Sequence, residues 1–403
     1  MDAMTFTFLH TADWQIGKAF GGLPADVAAA LREARLSAID RLAEVARAGG
    51  ARHILVAGDV FDAETLAPKT VRQAVARMET HAEMTWHLLP GNHDPHRKGG
   101  LWERLVRDGL PANIRPIMTP QAIEIEPRIW LLPAPLTGRA TASDPTLYMD
   151  NAETPAGAVR IGLAHGSVRF FGSDQAASVG LSPTRAASAG LDYLALGDWH
   201  GAQQVAPKTW YSGTPEPDRF MDNDPGFALL VEVNAGAEPR IQRIATAQFA
   251  WIKRTVDVSR LNQKERILNV SQLNLAERAL NVAHDPVIVA HDPVTAASNP
   301  LLHNTLLQLT LRGRVTPERR QNILNELRAI EARHRHLDAD LSELKLTSGS
   351  GGLEQLEGTG DLKHVAERLL ARATNPAAPD AATATDALAM LLDLATETGD
   401  ARP

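Results

Sequence analysis

The fold the sequence predicts is a mixed two-sheet α/β/β/α sandwich, followed by a small β-α-β module and a helical C-terminal tail. Three observations carry that expectation. Short apolar runs alternate with helical patterns through the first 250 residues, each run ends in a polar or glycine-bearing cluster, and the chain changes character near residue 251. The opening runs are TFTFLH (5–10), HILVAGD (53–59), TWHLLPGNHD (85–94), RIGLAHG (160–166) and YLALGDWHG (193–201). Between the first two, Val27, Leu31, Ala34, Ala38, Leu42 and Val45 recur at the three- to four-residue spacing of a helix laid on a sheet. That is a βαβ layout. In open α/β sheets function gathers beyond the carboxyl ends of the strands, which is where the polar clusters fall.

Later runs, IEIEPRIWLLP (123–133), TWYSG (209–213), FALLVEV (227–233) and RIQRIA (240–245), have no comparable helix between them and read as antiparallel additions. From 251, WIKRTVDV reads as a strand and 260–282 as polar helix. LLQLTLRGR (306–314) alternates like a half-buried strand, a helix starts near Thr316-Pro317-Glu318, and DLSELKLT (340–347) is a last strand. SGSGG (348–352) reads as a break, and HVAERLLARA and DALAMLLDLA as two helices joined by an Ala/Pro/Thr-rich linker at 374–385. The expected domains are therefore 1–250, 251–347 and 348–403. A near-repeat, AHDPVIVAHDP (283–293), places His and Asp eight residues apart, but with no other ligand types nearby it reads as two turns flanking a strand.

Composition bounds the rest. A chain of 403 residues, 44% hydrophobic and 22% charged, can bury two or three cores without covalent staples. With no cysteine, disulfides and thiolate metal sites are excluded, so any metal is held by O and N ligands. No stretch reaches membrane-spanning length and the N-terminus lacks a signal-like pattern, so the expectation is a cytoplasmic protein without a membrane partner. The net charge of −7 argues against a protein that coats nucleic acid by charge alone.

Five strand ends carry side chains able to bind metal: Asp13 and Gln15; Asp59 and Asp62; Asn92, His93 and Asp94; His165; and Asp198 and His200. Singly, each is explained by turn and cap chemistry, since Gly-Asp and Gly-Asn pairs form turns. Repeated at five strand ends, the arrangement points to a two-metal phosphoesterase. Two divalent ions roughly 3.5–4 Å apart share a bridging carboxylate, activate water and neutralise a phosphoryl group. Asp59 is the natural bridge, Asn92 coordinates through its carbonyl oxygen, and the imidazoles of His165 and His200 suit Mn²⁺, Fe²⁺ or Zn²⁺. His93, beside a ligand, is placed to protonate a leaving oxygen.

The series D-x-Q, GDVFD, GNHD, HG and GDWHG resembles the calcineurin-like metallophosphoesterase superfamily, whose order is D-x-H, G-D-x-x-D, G-N-H-[DE], H and G-H-x-H. HTADWQIGK, GDVFDAE, LLPGNHDP and WYSGTPE resemble its DNA-repair exonuclease branch, the SbcD-like nuclease subunits, over about the first 250 residues. The β-α-β module is similar to the capping domain of that branch. The resemblance implies one ion on Asp13, Gln15, Asp59 and His200, and a second on Asp59, Asn92, His165 and Asp198. It implies His93 as catalytic histidine, with Asp94 or Asp62 in support. Gln15 and Asp198 stand where the family has histidines. Coordinating through oxygen, they would make the site harder and favour Mn²⁺, or Mg²⁺, over Zn²⁺.

The branch implies DNA as substrate and an SMC-like ATPase as partner, and leaves homodimerisation open. From Arg312 to Arg335 seven arginines face three glutamates, so Arg312 and Arg314 could meet a phosphate backbone, while Arg169 with Phe170 and Phe171 could grip an unstacked nucleotide. Ordinary solvation explains the arginine run nearly as well, and two adjacent aromatics are more often a packing feature. Two other functions stay open: a phosphodiesterase or phosphatase for a small molecule, and a weakly active interaction subunit that docks an ATPase. In the tail, Leu369, Leu370, Leu388, Leu391 and Leu392 form stripes that pack on the module or receive a coiled coil.

Overall fold

The computed structural model describes residues 5–168, 179–221, 223–261, 267, 303–346, 360–375 and short stretches between 379 and 391. The 283–293 near-repeat, the 348–352 break and most of 260–282 lie outside the described residues. The chain divides into two compact units, Met1–Ala250 and Trp251–Pro403.

In the first unit, β1 (Phe6–Thr11), β2 (His53–Val56), β3 (Thr85–Leu88) and β4 (Ile114–Pro116) form a parallel run. Helices α1 (Ala25–Ala48), α2 (Pro68–Thr80) and α3 (Leu101–Asp108) lie between successive strands in the chain. The second sheet is built from β5 (Ile123–Glu126), β6 (Ile129–Ala134), β7 (Val159–His165), β10 (Tyr193–Gly197), β11 (Gln203–Ala206) and β12 (Thr209–Tyr211). A two-stranded pair, β8 (Ser167–Val168) with β9 (Gly180–Leu181), and the short helix α4 (Arg185–Ser188) fall between β7 and β10. The chain then returns to the first sheet through β13 (Phe227–Val233) and β14 (Arg240–Ala245), both antiparallel additions, giving the order β14-β13-β1-β2-β3-β4. Two expectations change: β6, from IEIEPRIWLLP, is antiparallel to β5 but parallel to β7, and β12, from TWYSG, pairs parallel with β10 and antiparallel only with β11. The β11–β12 hairpin brings it back in the same direction as β10, which the absence of an intervening helix had argued against.

Both faces of the central strands of each sheet are buried, which explains the continuous apolar runs there. Along β1 and β2, Leu9, Ile54 and Val56 join Ile39 and Leu42 of α1. Their neighbours Phe8 and Leu55 meet Leu131, Leu163 and Tyr193 of the second sheet. The far face of that sheet, with Leu132, Ala164 and Leu194, packs on Ala186 of α4 and Met149. The four-layer sandwich is present, with a thin outer layer on the second sheet.

Two imidazoles sit inside this core. His10 lies 2.9 Å from the Tyr193 hydroxyl and 3.2 Å from the Leu196 carbonyl, and His87 lies 2.9 Å from His53. Burial lowers both to about 3. The unfolded chain therefore binds protons below about pH 6.5 that the native state refuses, and stability falls as pH drops toward 3. Each histidine is expected to cost about 2 kcal/mol at pH 5 relative to pH 7. Denaturant unfolding at the two pH values checks this: a His10→Gln variant should lose about 2 kcal/mol less on acidification than the wild type.

The second unit has a three-stranded sheet, β15 (Ala250–Asp257), β16 (Thr305–Val315) and β17 (His336–Leu346), with β16 central. Strands β16 and β17 are parallel, joined by helix α5 (Pro317–Glu331). The Thr316 hydroxyl caps α5 by accepting from the Arg319 amide at 3.2 Å, and proline stands in the first turn. Leu307, Leu309 and Leu311 are buried. Helix α6 (Gly360–Ala373) follows, with Leu369 and Leu370 half-buried. Leu388 is buried and Leu391 half-buried, while Leu392 lies outside the described residues. Among the described residues no helix is long and apolar enough to cross a membrane.

Candidate metal centre

The loops that follow β1 and β2 go on pairing after the strands end. The amides of Asp13, Gln15 and Ile16 donate to the carbonyls of Gly58, Asp59 and Val60 at 3.1, 2.9 and 3.0 Å, and the Asp62 amide returns to Ile16 at 3.0 Å. This ladder sets Asp13 beside Asp59. At four of the expected site residues the backbone turns left-handed: φ is 54° at Asp13, 44° at Gln15, 53° at Asp59 and 100° at Asp198. Non-glycine residues seldom adopt such values, and where they do the surrounding structure holds them there. Two glycines leave room for the ligands. A Cβ on Gly91 would sit 2.1 Å from Asp59 Oδ1, and one on Gly58, itself at φ 91°, would sit 2.2 Å from His165 Nδ1.

The pocket is a nest of carboxylates around one imidazole. Asp13, Asp59 and His165 are fully buried and offer ligand atoms within 4.8 Å of one another. His165 Nδ1 lies 2.8 Å from the Ala57 carbonyl, which can only accept, so in the neutral ring, the form that binds a metal, the lone pair stands on Nε2. That Nε2 is buried with no hydrogen-bond partner, 3.5 Å from Asp59 Oδ1 and 3.8 Å from Asp198 Oδ1. Asn92 donates to Asp198 Oδ1 at 3.4 Å, which leaves its own Oδ1 buried and unpartnered. Asp198 also accepts from the Ser167 hydroxyl, and its amide donates to both oxygens of Asp13 at 3.2 Å. Burial raises Asp13 to about 6, with His200 and His165 opposing. Burial would lower His165, yet the charges of Asp59, Asp13 and Asp198 outweigh it and raise the ring to about 9. The pocket therefore calls for positive charge. Two orphaned ligand atoms beside three carboxylates fit a divalent cation on Asp59, Asn92, His165 and Asp198, with Asp13 alongside.

His93 stands at the mouth, its side chain 45% exposed. Its amide donates to Asp59 Oδ1 at 2.9 Å and its Nδ1 to the Asp62 carbonyl at 3.0 Å, so Nε2, 3.9 Å from Asp59 Oδ2, is the nitrogen free to work. It is thus the Asp62 main chain, and no carboxylate, that orients the ring. Asp94, expected as a catalytic partner, is turned away. It is fully buried and accepts from the amides of Phe61 at 3.0 Å and Gly91 at 2.7 Å, clamping the two ligand loops together. Burial, then the charge of Asp59, pushes its carboxyl well above the usual range.

Gln15 also departs from its expected role. Its Oε1 lies 3.2 Å from Lys18 Nζ and its Nε2 lies 3.2 Å from His200 Nε2, so neither atom is spare. His200 Nδ1 is 3.2 Å from Asp218 Oδ1, and Lys18 Nζ is 2.8 Å from Asp218 Oδ2. Against burial, the hydrogen bond and charge of His200, with Arg35 and Lys18, hold the Asp218 carboxyl well below the usual range. Lys18, Asp218 and Ser167 had no motif to announce them. Lys18 could have been suspected from its place three residues after Gln15, and Ser167 from following His165-Gly166.

Of the expected substrate contacts, Arg169 and Phe170 lie outside the described residues. Arg312 and Arg314 are exposed on β16 in the second unit, with Arg312 Nε 3.9 Å from Asp257.

Residues 6–200, within the first unit, match the family of calcineurin-like phosphoesterases. A relative, an uncharacterized metallophosphoesterase, YhaO, of Bacillus subtilis (strain 168), is 24% identical over 282 residues. That similarity covers 63% of this chain and 63% of the relative's length. The crystal structure of TT1561 of Thermus thermophilus overlays 60% of this chain and all of its own, with 11% identity and a TM-score of 0.39.

Proposed function

We propose that the protein is a nuclease that hydrolyses phosphodiester bonds of DNA with Mn²⁺, working as the nuclease subunit of an SMC-like ATPase. The observation that carries the hydrolytic part is the pair of buried, unpartnered ligand atoms, His165 Nε2 and Asn92 Oδ1, set beside Asp59 beneath a half-exposed His93. A divalent cation in such a pocket supplies a water of lowered pKa and offsets the charge of the phosphoryl oxygens. His93, held through Nδ1 by the Asp62 carbonyl, presents Nε2 as the general acid toward the leaving oxygen, a step a diester with an alkoxide leaving group needs. Asp94 keeps the GDVFD and GNHD loops in register, so that Asp59 and His93 share one geometry. The donor set of oxygens with one imidazole supports Mn²⁺.

DNA is supported by the motif resemblance and by Trp199, which stands between Asp198 and His200 with 40% of its surface exposed. An exposed indole there offers a stacking face to a nucleobase. The test is an assay of linear single- and double-stranded DNA with Mn²⁺, beside an aryl phosphodiester and an aryl phosphomonoester. DNA cleavage is expected, with Trp199→Ala raising KM more than it lowers kcat. Turnover of the aryl esters alone would overturn the nuclease reading in favour of a small-molecule phosphoesterase.

A further inference from the structure

We infer that this centre holds one divalent ion per chain, on the Asp59–Asn92–His165 side, and that Lys18 supplies the positive charge at the position where a second ion would sit. The inference rests on the pocket being the metal centre of a hydrolase. It comes from the polarity of a ring of three hydrogen bonds and one ion pair: Lys18, Gln15, His200 and Asp218.

Lysine has donors only, so the Gln15 atom 3.2 Å from Lys18 Nζ must be the amide oxygen. Turned the other way, the amide would point its NH₂ at an ammonium. The atom facing His200 Nε2 at 3.2 Å is therefore the NH₂, which has no lone pair for a metal. At the far side of the ring, Asp218 can only accept from His200 Nδ1, so His200 Nε2 is the acceptor that the Gln15 NH₂ requires. The remaining Asp218 oxygen, which accepts no hydrogen bond, pairs with the Lys18 ammonium at 2.8 Å, so an ion pair closes the ring that three side-chain hydrogen bonds begin. Both the glutamine oxygen and the His200 lone pair are consumed in it.

Charge is divided in the same way. Behind the ring the buried guanidinium of Arg35 bonds the carbonyls of Trp14 at 2.6 Å and Glu216 at 3.0 Å, so two side-chain cations flank this half. Among the described residues no lysine or arginine forms an ion pair with Asp13, Asp59 or Asp198. Gly17, at φ 99°, makes the turn that carries Lys18 back over Gln15. A dication placed in this half would meet an ammonium, an NH₂ and an occupied imidazole.

The test uses the full chain, stripped with EDTA and titrated with Mn²⁺ under equilibrium dialysis, with electron paramagnetic resonance on the frozen product. One ion per chain and the six-line spectrum of isolated Mn²⁺ are expected; two ions, or an exchange-coupled multiline spectrum, overturn the inference. The Gln15→His/Lys18→Ser double variant, shown to be folded by its unfolding midpoint, is expected to take up a second ion. If it stays at one, the role given to the ring is overturned. DNA hydrolysis is followed in the same preparation. Two ions with hydrolysis intact strike this inference alone, while one ion without hydrolysis supports it and strikes the proposed function.

Discussion

Asp59→Asn is expected to abolish Mn²⁺ binding and lower turnover by more than about a thousandfold. The substitution keeps the shape of the side chain and an oxygen that can accept from the His93 amide, a bond of 2.9 Å in the native protein. What it removes is the charge that faces His165 Nε2 at 3.5 Å and His93 Nε2 at 3.9 Å. A bound ion supplies several kcal/mol of transition-state stabilisation, and each 1.4 kcal/mol is about tenfold in rate. Without metal, the variant loses the repulsion of Asp59 for the carboxyls of Asp94 and Asp13, which burial already raises, and also its attraction for the His165 ring; the two oppose, so the unfolding midpoint should shift little. Steady-state turnover, Mn²⁺ titration and unfolding in EDTA check the three parts. A variant that keeps turnover within tenfold of wild type would remove Asp59 from the centre of the site.

His93→Ala is the second large effect, with a different signature. Loss of a positioned general acid costs about 10²–10⁴-fold in turnover. Mn²⁺ affinity should hardly move, since the ring is bonded through Nδ1 to the Asp62 carbonyl and only its main-chain amide touches Asp59. The loss should shrink on an aryl phosphodiester, whose phenolate leaves without a proton. Equal losses on DNA and on the aryl ester would show that His93 acts otherwise than as an acid.

The first unit could be read from its sequence because its strands are buried on both sides and end in the residues that do the chemistry. Runs such as HILV and YLAL are buried throughout, and the turn clusters after them bring Asp13, Asp59, Asn92, His165 and Asp198 together at adjacent strand ends. Hydrogen bonds to main-chain groups were harder to foresee. Asp94 looks like a catalytic neighbour of His93, yet its partners are two amides, from Phe61 and Gly91, that no side-chain pattern marks. The parallel pairing of TWY with β10 likewise depends on a hairpin whose direction apolar spacing does not encode. Gln15 shows the limit most clearly. Its residue type allows a metal ligand, and what decides against it is Lys18 nearby and Asp218, which reaches the same ring from a distant part of the chain.

The left-handed backbone at Asp13, Gln15, Asp59 and Asp198 bears on how such a site is lost over evolutionary time. Holding an ordinary residue in that conformation costs about 1 kcal/mol or more, a strain glycine escapes. In a descendant released from selection for hydrolysis, pressure for stability alone favours glycine or asparagine at these four positions ahead of random change elsewhere. Decay would thus leave a directional trace, with the loops still tracking one another and small, φ-tolerant residues where carboxylates and an amide once stood.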